Sequence, residues 1–414
     1  MMLSEASETA PARTSINRAT GFVMLAGGLT VTMALSALTP VLPQIEAALA
    51  VTANDKLLVK MLVSIIGVTM VFGAPLMGFL IDKVSLKRLL ISASLVYAIA
   101  GTAGLYLSNL YALLASRLFV GLAAAGIATM SMTLINTRLQ GNDRARWMGF
   151  HVSTAMFGSL VIHPTVGALG ELGWRWPFLA YGAGLILAAV AFMGLTETPP
   201  VPRPVAGAVA SSSVGSPARR FPYWFLPLAF IMGTVTYLPN VYMPYVVREI
   251  GVTSPSVIAA VMLADAVIGA CMSLLFGRSQ KHLSSYAAFI FSFSCVGTGM
   301  LIVSLASGFA GVVAGMLVFG FGIGWFVPNL MTSLSRHVAA TQQGRAVGIV
   351  KAAHYVAVTL GILAVEPVFR AFGPSGVMLT GAILSFAVVA VFLFLLARPG
   401  GRKPVIVDTP LAAE

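Results

Sequence analysis

Gly78-Phe79-Leu80-Ile81-Asp82-Lys83-Val84-Ser85-Leu86-Lys87-Arg88 is the stretch on which the fold turns. It separates two long apolar runs, 57–81 and 88–107, and sets one acid and three bases within seven residues. Elsewhere charge is scarce. Only 9% of the 414 residues are charged, 58% are apolar, and the mean hydropathy is +0.93; a soluble domain carries about 25% charge. Only lipid solvates so much apolar surface. About 20 residues cross the hydrocarbon core, and twelve runs reach that length: 20–43, 57–81, 88–107, 109–137, 147–170, 176–196, 222–247, 257–276, 286–306, 311–335, 346–366 and 375–397. The fold class expected is an all-α integral membrane protein.

The net charge of +12 raises the question of a nucleic-acid partner, and its distribution answers it. Most Lys and Arg residues fall in the tails and in alternate loops on one side, whereas Lys56, Lys60, Arg175, Arg248 and Arg370 fall in loops on the other. Arg117 and Lys351 lie inside runs. By the positive-inside rule both termini are cytoplasmic, so the basic balance reports topology and excludes a nucleic-acid partner. Residues 1–19 are a polar tail, and the long first run lacks a small-residue cleavage site, which argues against a cleaved signal peptide. Cys271 and Cys295 both sit within runs, where thiols behave as small hydrophobes; no disulfide is expected.

A segment rich in Pro, Ala, Ser and Val, 197–221, divides six runs from six, giving bundles at 20–196 and 222–397 and a C-terminal tail at 398–414. A shift of 199 residues superposes the two parts at several places. Pro40 falls on Pro239, Gly78 on Gly277, Ser85 on Ser284, Gly121 on Gly320, and Arg146 with Gly149 on Arg345 with Gly348. Recurrence at one offset marks a parallel repeat.

The spacing in 78–88, with Gly78, Asp82, Lys83, Lys87 and Arg88 in place and Ser85 at the second glycine position, resembles the loop between helices 2 and 3 of the major facilitator superfamily. The resemblance covers roughly 20–397, nearest to the twelve-helix drug or metabolite:proton antiporter group. It implies two six-helix repeats with a substrate site between them near the bilayer midplane, a monomer, and no cofactor.

Charge inside hydrocarbon costs at least ~2.5–3.5 kcal/mol per residue on insertion scales, so each instance is a candidate for function. The candidates are Arg117, Asp265, Lys351, His163 and His354, and Asp265 is the one carboxylate read as lying within the membrane. Arg117-Leu118-Phe119-Val120-Gly121 is similar to the superfamily's R-x-x-Q-G motif, whose arginine is associated with proton coupling, with Val120 for Gln. The competing reading is an arginine snorkelling about 12 Å to the outer interface. Around His163, Pro164 and Gly167 match part of the exporter motif G-P-x-x-G-G; proline bends a helix and small residues let helices approach.

Asp265, His163 and Arg117 share a depth of about 10–12 Å below the outer surface, so a protonatable Asp265–His163 contact is expected across the interface, with Arg117 nearby. A static polar contact is the plainer alternative. On the inner side, Asp82 ends the second run and is expected to clamp the inner gate when the protein faces outward, against the eleventh run and its Lys351. The repeat equivalent of Asp82 is Lys281, so only one half carries the acid. His354, one turn beyond Lys351, belongs near the cavity, though a lone membrane histidine is more often a packing residue. Ser36, Tyr237, Asn240, Trp325 and Asn329 are candidates for the cavity wall, the asparagines because an amide in lipid needs a partner.

No metal site is expected, and no G-x-x-x-x-G-K-[S/T] loop suggests a nucleotide. Nor does a nucleophile-base cluster suggest an enzyme. The function expected is proton-coupled export of a small organic solute by alternating access, across a bacterial cytoplasmic membrane. The basic interior favours a neutral, zwitterionic or anionic solute over a cationic drug, because Ser36 stands where one group of drug exporters places an acid. The alternative is a proton-coupled importer of an organic acid or similar nutrient.

Overall fold

A computed structural model describes residues 16–196, 221–279, 284–338 and 342–397. The expected tails, nearly all of the 197–221 segment, Lys281 and His282 lie outside them. Among the described residues there are helices and no strands. The α-helices are α1 (Arg18–Ser36), α2 (Leu42–Leu49), α3 (Ala53–Ile81), α4 (Leu86–Gly101), α5 (Leu110–Arg138), α6 (Gly141–Glu171), α7 (Ala183–Gly194), α8 (Phe225–Glu249), α9 (Pro255–Ser279), α10 (Ser285–Leu305), α11 (Phe309–His337) and α12 (Gln343–Ala397).

Helix starts follow capping chemistry. The first N–H groups of a helix lack intrahelical partners, and polar side chains before the apolar runs supply them. Asn17 Oδ1 accepts from Thr20 N at 2.7 Å, and Asn109 Oδ1 from Tyr111 N and Ala112 N at 2.9 and 3.1 Å. Thr52 and Asp55 form a reciprocal capping box on α3. Ser85 caps α4 through Arg88 N at 3.5 Å, which gives the residue at the second glycine position of the charged turn a structural task. Asp82 is the C-cap residue of α3, as expected.

Eleven stretches are long and apolar enough to cross a membrane. The first takes in α1 and α2, with a break at Ala37–Leu38 and a 3₁₀ turn over Thr39–Val41. The last, Arg345–Ala397, is 53 residues long, about 80 Å at 1.5 Å per residue and more than twice the hydrocarbon thickness. It contains one break. Gly373 has φ 67 and ψ −171, a region essentially reserved for glycine. The gap expected at 367–374 is thus a kink at one residue.

The helices before residue 197 pack on one another: α1 on α5 and α6, α3 on α5, α4 on α5 and α7. Those after residue 220 do likewise, with α8 on α12, α10 on α11 and α12, and α11 on α9. The most extensive contacts between the groups are α6 with α9 and α3 with α12, and α8 also touches α2 and α3. The end of the molecule that carries the 78–88 turn is called the turn end below, and the other the far end.

Candidate functional site

A set of side-chain hydrogen bonds joins the two groups between mid-height and the far end. Tyr237 donates to the carbonyls of Leu35 at 2.9 Å and Val63 at 3.1 Å. Thr359 donates to the Ser64 carbonyl at 2.5 Å, Arg248 to the Pro43 carbonyl at 3.2 Å, and Tyr245 to Glu46 Oε2 at 2.8 Å. Glu171, at the end of α6, accepts from the Ser254 hydroxyl and from Ser256 N at the start of α9. Close packing accompanies these bonds: a Cβ on Gly167 would stand 2.8 Å from Ala259 Cβ. Gly167 therefore works as the small residue at a helix crossing, with Pro164 inside the same helix.

At the centre of this closed face is an ion pair that the sequence reading placed wrongly. Lys60, assigned above to an outer loop, is fully buried, and its Nζ lies 2.8 Å from Glu366 Oε2. Glu366 is 5% exposed, so Asp265 is not the only carboxylate carried inward. The Lys60 ammonium also lies 3.4 Å from the Phe369 ring centroid, with the rings of Tyr242 and Tyr245 at 5.4 and 5.8 Å. Arg370 Nε holds the second Glu366 oxygen at 3.1 Å. The local signal was present, because Lys60 and Glu366 both fall within runs. Their partnership, across 306 residues, had none.

Arg117 does not snorkel. It is fully buried, and its Nη2 donates to the Ala100 and Gly101 carbonyls at 2.8 and 2.9 Å. Those carbonyls stand at the end of α4, where it gives way to a 3₁₀ turn. Phe178 and Tyr181 stack on the guanidinium at 5.1 and 5.0 Å. Its surroundings are aromatic rings and carbonyls within the first helix group.

The contact expected between His163 and Asp265 is not made in this conformation. Gly170 against Pro255 and Gly167 against Ala259 set a register in which His163 and Asp265 share a level. Yet His163 Nδ1 pairs with the Ser159 carbonyl at 3.0 Å and its Nε2 is buried without a partner. No described ion pair involves the Asp265 carboxylate.

Among the cavity candidates, Tyr237 serves the closed face. Asn329 is buried and donates to the Ser285 carbonyl at 2.9 Å, tying α11 to the start of α10. Trp325 is buried against Phe276 and Phe291, its Nε1 unpartnered. Ser36 and Asn240 are half-buried. Lys351 and His354 differ from these: both sit among the helices, Lys351 exposed and His354 half-buried. They line the opening between the groups.

At the turn end, Lys83 lies over the Phe79 ring at 4.1 Å and Lys87 over Phe192 at 5.6 Å. A hollow of about 610 Å³ at the far end, lined by Pro43, Glu171, Arg248 and Thr253 among others, sits above the closed face and apart from the buried charges. Among the described residues no group of His, Cys, Asp and Glu is arranged to hold a metal.

A family profile described as Major Facilitator Superfamily matches residues 24–362 and 225–411. A bacillibactin exporter of Bacillus subtilis (strain 168) is 32% identical over 154 residues, 36% of this chain and 37% of that protein. The match thus takes in little more than a third of that relative's length. A class G tetracycline resistance protein of Vibrio anguillarum is 24% identical over 398 residues, 90% of this chain and 94% of its own. The xylose transporter XylE from E. coli, solved in a partially occluded inward-open conformation, superposes with a TM-score of 0.72 at 12% identity, covering 93% of this chain and 98% of that one; that likeness concerns the fold.

Proposed function

Because the chain belongs to the Major Facilitator Superfamily, we propose that it is a proton-coupled exporter of a small organic solute that works by alternating access. The observation that carries this reading is the set of hydrogen bonds that ties the helix groups together from mid-height to the far end. Two packed helix groups that meet along such a seam are arranged to rock about a site between them. The helices divide as six and six, with α12 supplying two spans across Gly373 and both termini cytoplasmic. The turn end is then the cytoplasmic end of a bacterial inner-membrane protein.

Export is favoured by what the relatives are named for, a bacillibactin exporter and a tetracycline resistance protein. In this reading Arg117, Asp265, His163 and His354 are the groups concerned with coupling, and Asp265 meets His163 when the groups rock. Asp82 clamps the turn end shut in the opposite state.

The test compares metabolites inside and outside cells expressing wild type or Asp265→Asn. The expected result is a compound that builds up inside the variant cells and falls outside. Depletion inside the variant cells would make the protein an importer.

A further inference from the structure

The hollow at the far end takes its two signs of charge from the two helix groups. Its volume is about 610 Å³, within the range of cavities that hold small molecules. Prolines, alanines and Ile258 make most of its wall. The first helix group adds Gln44 of α2 and Glu171 at the end of α6. The second adds Arg248 of α8 and Thr253 of the turn before α9.

Arg248 and Glu171 border the same space with opposite charge, yet neither is in an ion pair among the described residues. Each keeps hydrogen-bonding capacity. Arg248 gives one N–H to the Pro43 carbonyl at 3.2 Å, and a guanidinium carries five. Glu171 accepts from the Ser254 hydroxyl and Ser256 N on one oxygen, Oε1, and a carboxylate accepts about four bonds. Gln44 Oε1 is buried and has no hydrogen-bond partner. A buried acceptor of that kind calls for a donor. Spare acceptors therefore line one wall of the hollow, and spare donors the other.

We propose that the hollow is a binding site for a zwitterion carrying an ammonium and a carboxylate, such as an amino acid or short peptide. The ammonium meets Glu171 and Gln44 Oε1. The carboxylate takes the remaining N–H groups of Arg248 and the Thr253 hydroxyl, and the apolar wall takes the side chain. Because each helix group supplies one pole, the site exists only while the groups meet at this end. An occupant favours the closed far end by its differential affinity, and opening releases it. Binding stands independently of the transporter reading; this brake on movement rests on it.

The test uses the full-length protein in detergent, with Cys271→Ser and Cys295→Ser and one new cysteine. Ala47→Cys places that thiol in the wall of the hollow. Val51→Cys, exposed outside the lining, is the control. The readout is the rate of labelling by a soluble maleimide. The probes are the zwitterions L-phenylalanine and L-alanyl-L-phenylalanine, set against N-acetyl-L-phenylalanine, an anion, and L-phenylalanine amide, a cation. At least one zwitterion is expected to slow labelling of Ala47→Cys saturably while Val51→Cys labels as before. The singly charged probes should bind about tenfold more weakly or worse, the effect of losing one charged hydrogen bond. Glu171→Gln, which still accepts from Ser254 and Ser256, should weaken protection by a similar factor, and Arg248→Gln more than Arg248→Lys. The proposal is overturned if neither zwitterion protects Ala47→Cys, or if a singly charged probe protects it equally well. It is also overturned if Val51→Cys is slowed as much, or if Glu171→Gln leaves protection unchanged. Transport in proteoliposomes tests the function separately. Protection in a protein that moves no solute keeps the site and contradicts the transporter reading, and transport without protection does the reverse.

Discussion

At the scale of single residues, the buried charges divide into those that hold and those that are left to act. Lys60 and Glu366 are held. Breaking a buried pair by removing one partner costs about 3–5 kcal/mol, while replacing both with apolar groups is often neutral. Lys60→Met and Glu366→Gln should therefore each lower the unfolding midpoint, and Lys60→Met combined with Glu366→Leu should recover most of the loss. A double variant as unstable as the sum of the singles would show that the pair is not the unit. Arg117 is held too, by carbonyls and ring faces. Lysine cannot reproduce the forked donation, so Arg117→Lys should be nearly as damaging to transport as Arg117→Met. Lys351, which forms no ion pair among the described residues, belongs to the other class. If Asp82 clamps the closed turn end against Lys351, exchanging them as Asp82→Lys with Lys351→Asp should restore transport lost in either single variant; no recovery would argue against a direct pair.

At the scale of helices, two glycines carry the account. Gly373 occupies backbone space in which other residues cost about 1–3 kcal/mol, so Gly373→Ala should destabilise the protein by that order in a thermal melt. Gly167→Val tests a different property. A branched side chain there meets Ala259 and drives α6 from α9, so a far-end cysteine should label faster with a membrane-impermeant maleimide. Unchanged labelling would mean that this crossing does not hold the closed face.

Much of this scale was readable in advance. The turn at 78–88 disclosed its caps, since acid, serine and glycine at those spacings end one helix and begin another. Gly167 read as a close approach, and a Cβ added there would lie 2.8 Å from Ala259 Cβ, while Pro164 lies inside the same helix. The break at Gly373 was blurred because the flanking runs are both apolar and helical, so only the backbone shows one kink instead of a loop. Lys60 was misread because a lysine in the first turn of a run, here 57–81, looks like a boundary residue until its partner, far along the chain, is known. The Arg117 cage was invisible for the same reason: its acceptors are backbone carbonyls, which leave no mark in a sequence.

At the scale of the whole molecule, the account stands on one feature, a far end tied shut by hydrogen bonds between the helix groups. A transporter of this kind must be able to reverse it. Spin labels at Ala48 and Thr253, both exposed at the far end, and at Lys83 and Gln342, both exposed at the turn end, report the two ends separately. They are placed in a chain with Cys271→Ser and Cys295→Ser, since both thiols are free. The decisive measurement is the pair of distance distributions, by electron–electron resonance in lipid nanodiscs, across a range of pH. The account predicts two populations at each end with opposite responses, the far-end distance lengthening as the turn-end distance shortens. Distances that stay fixed under all conditions, or that lengthen together, would contradict it.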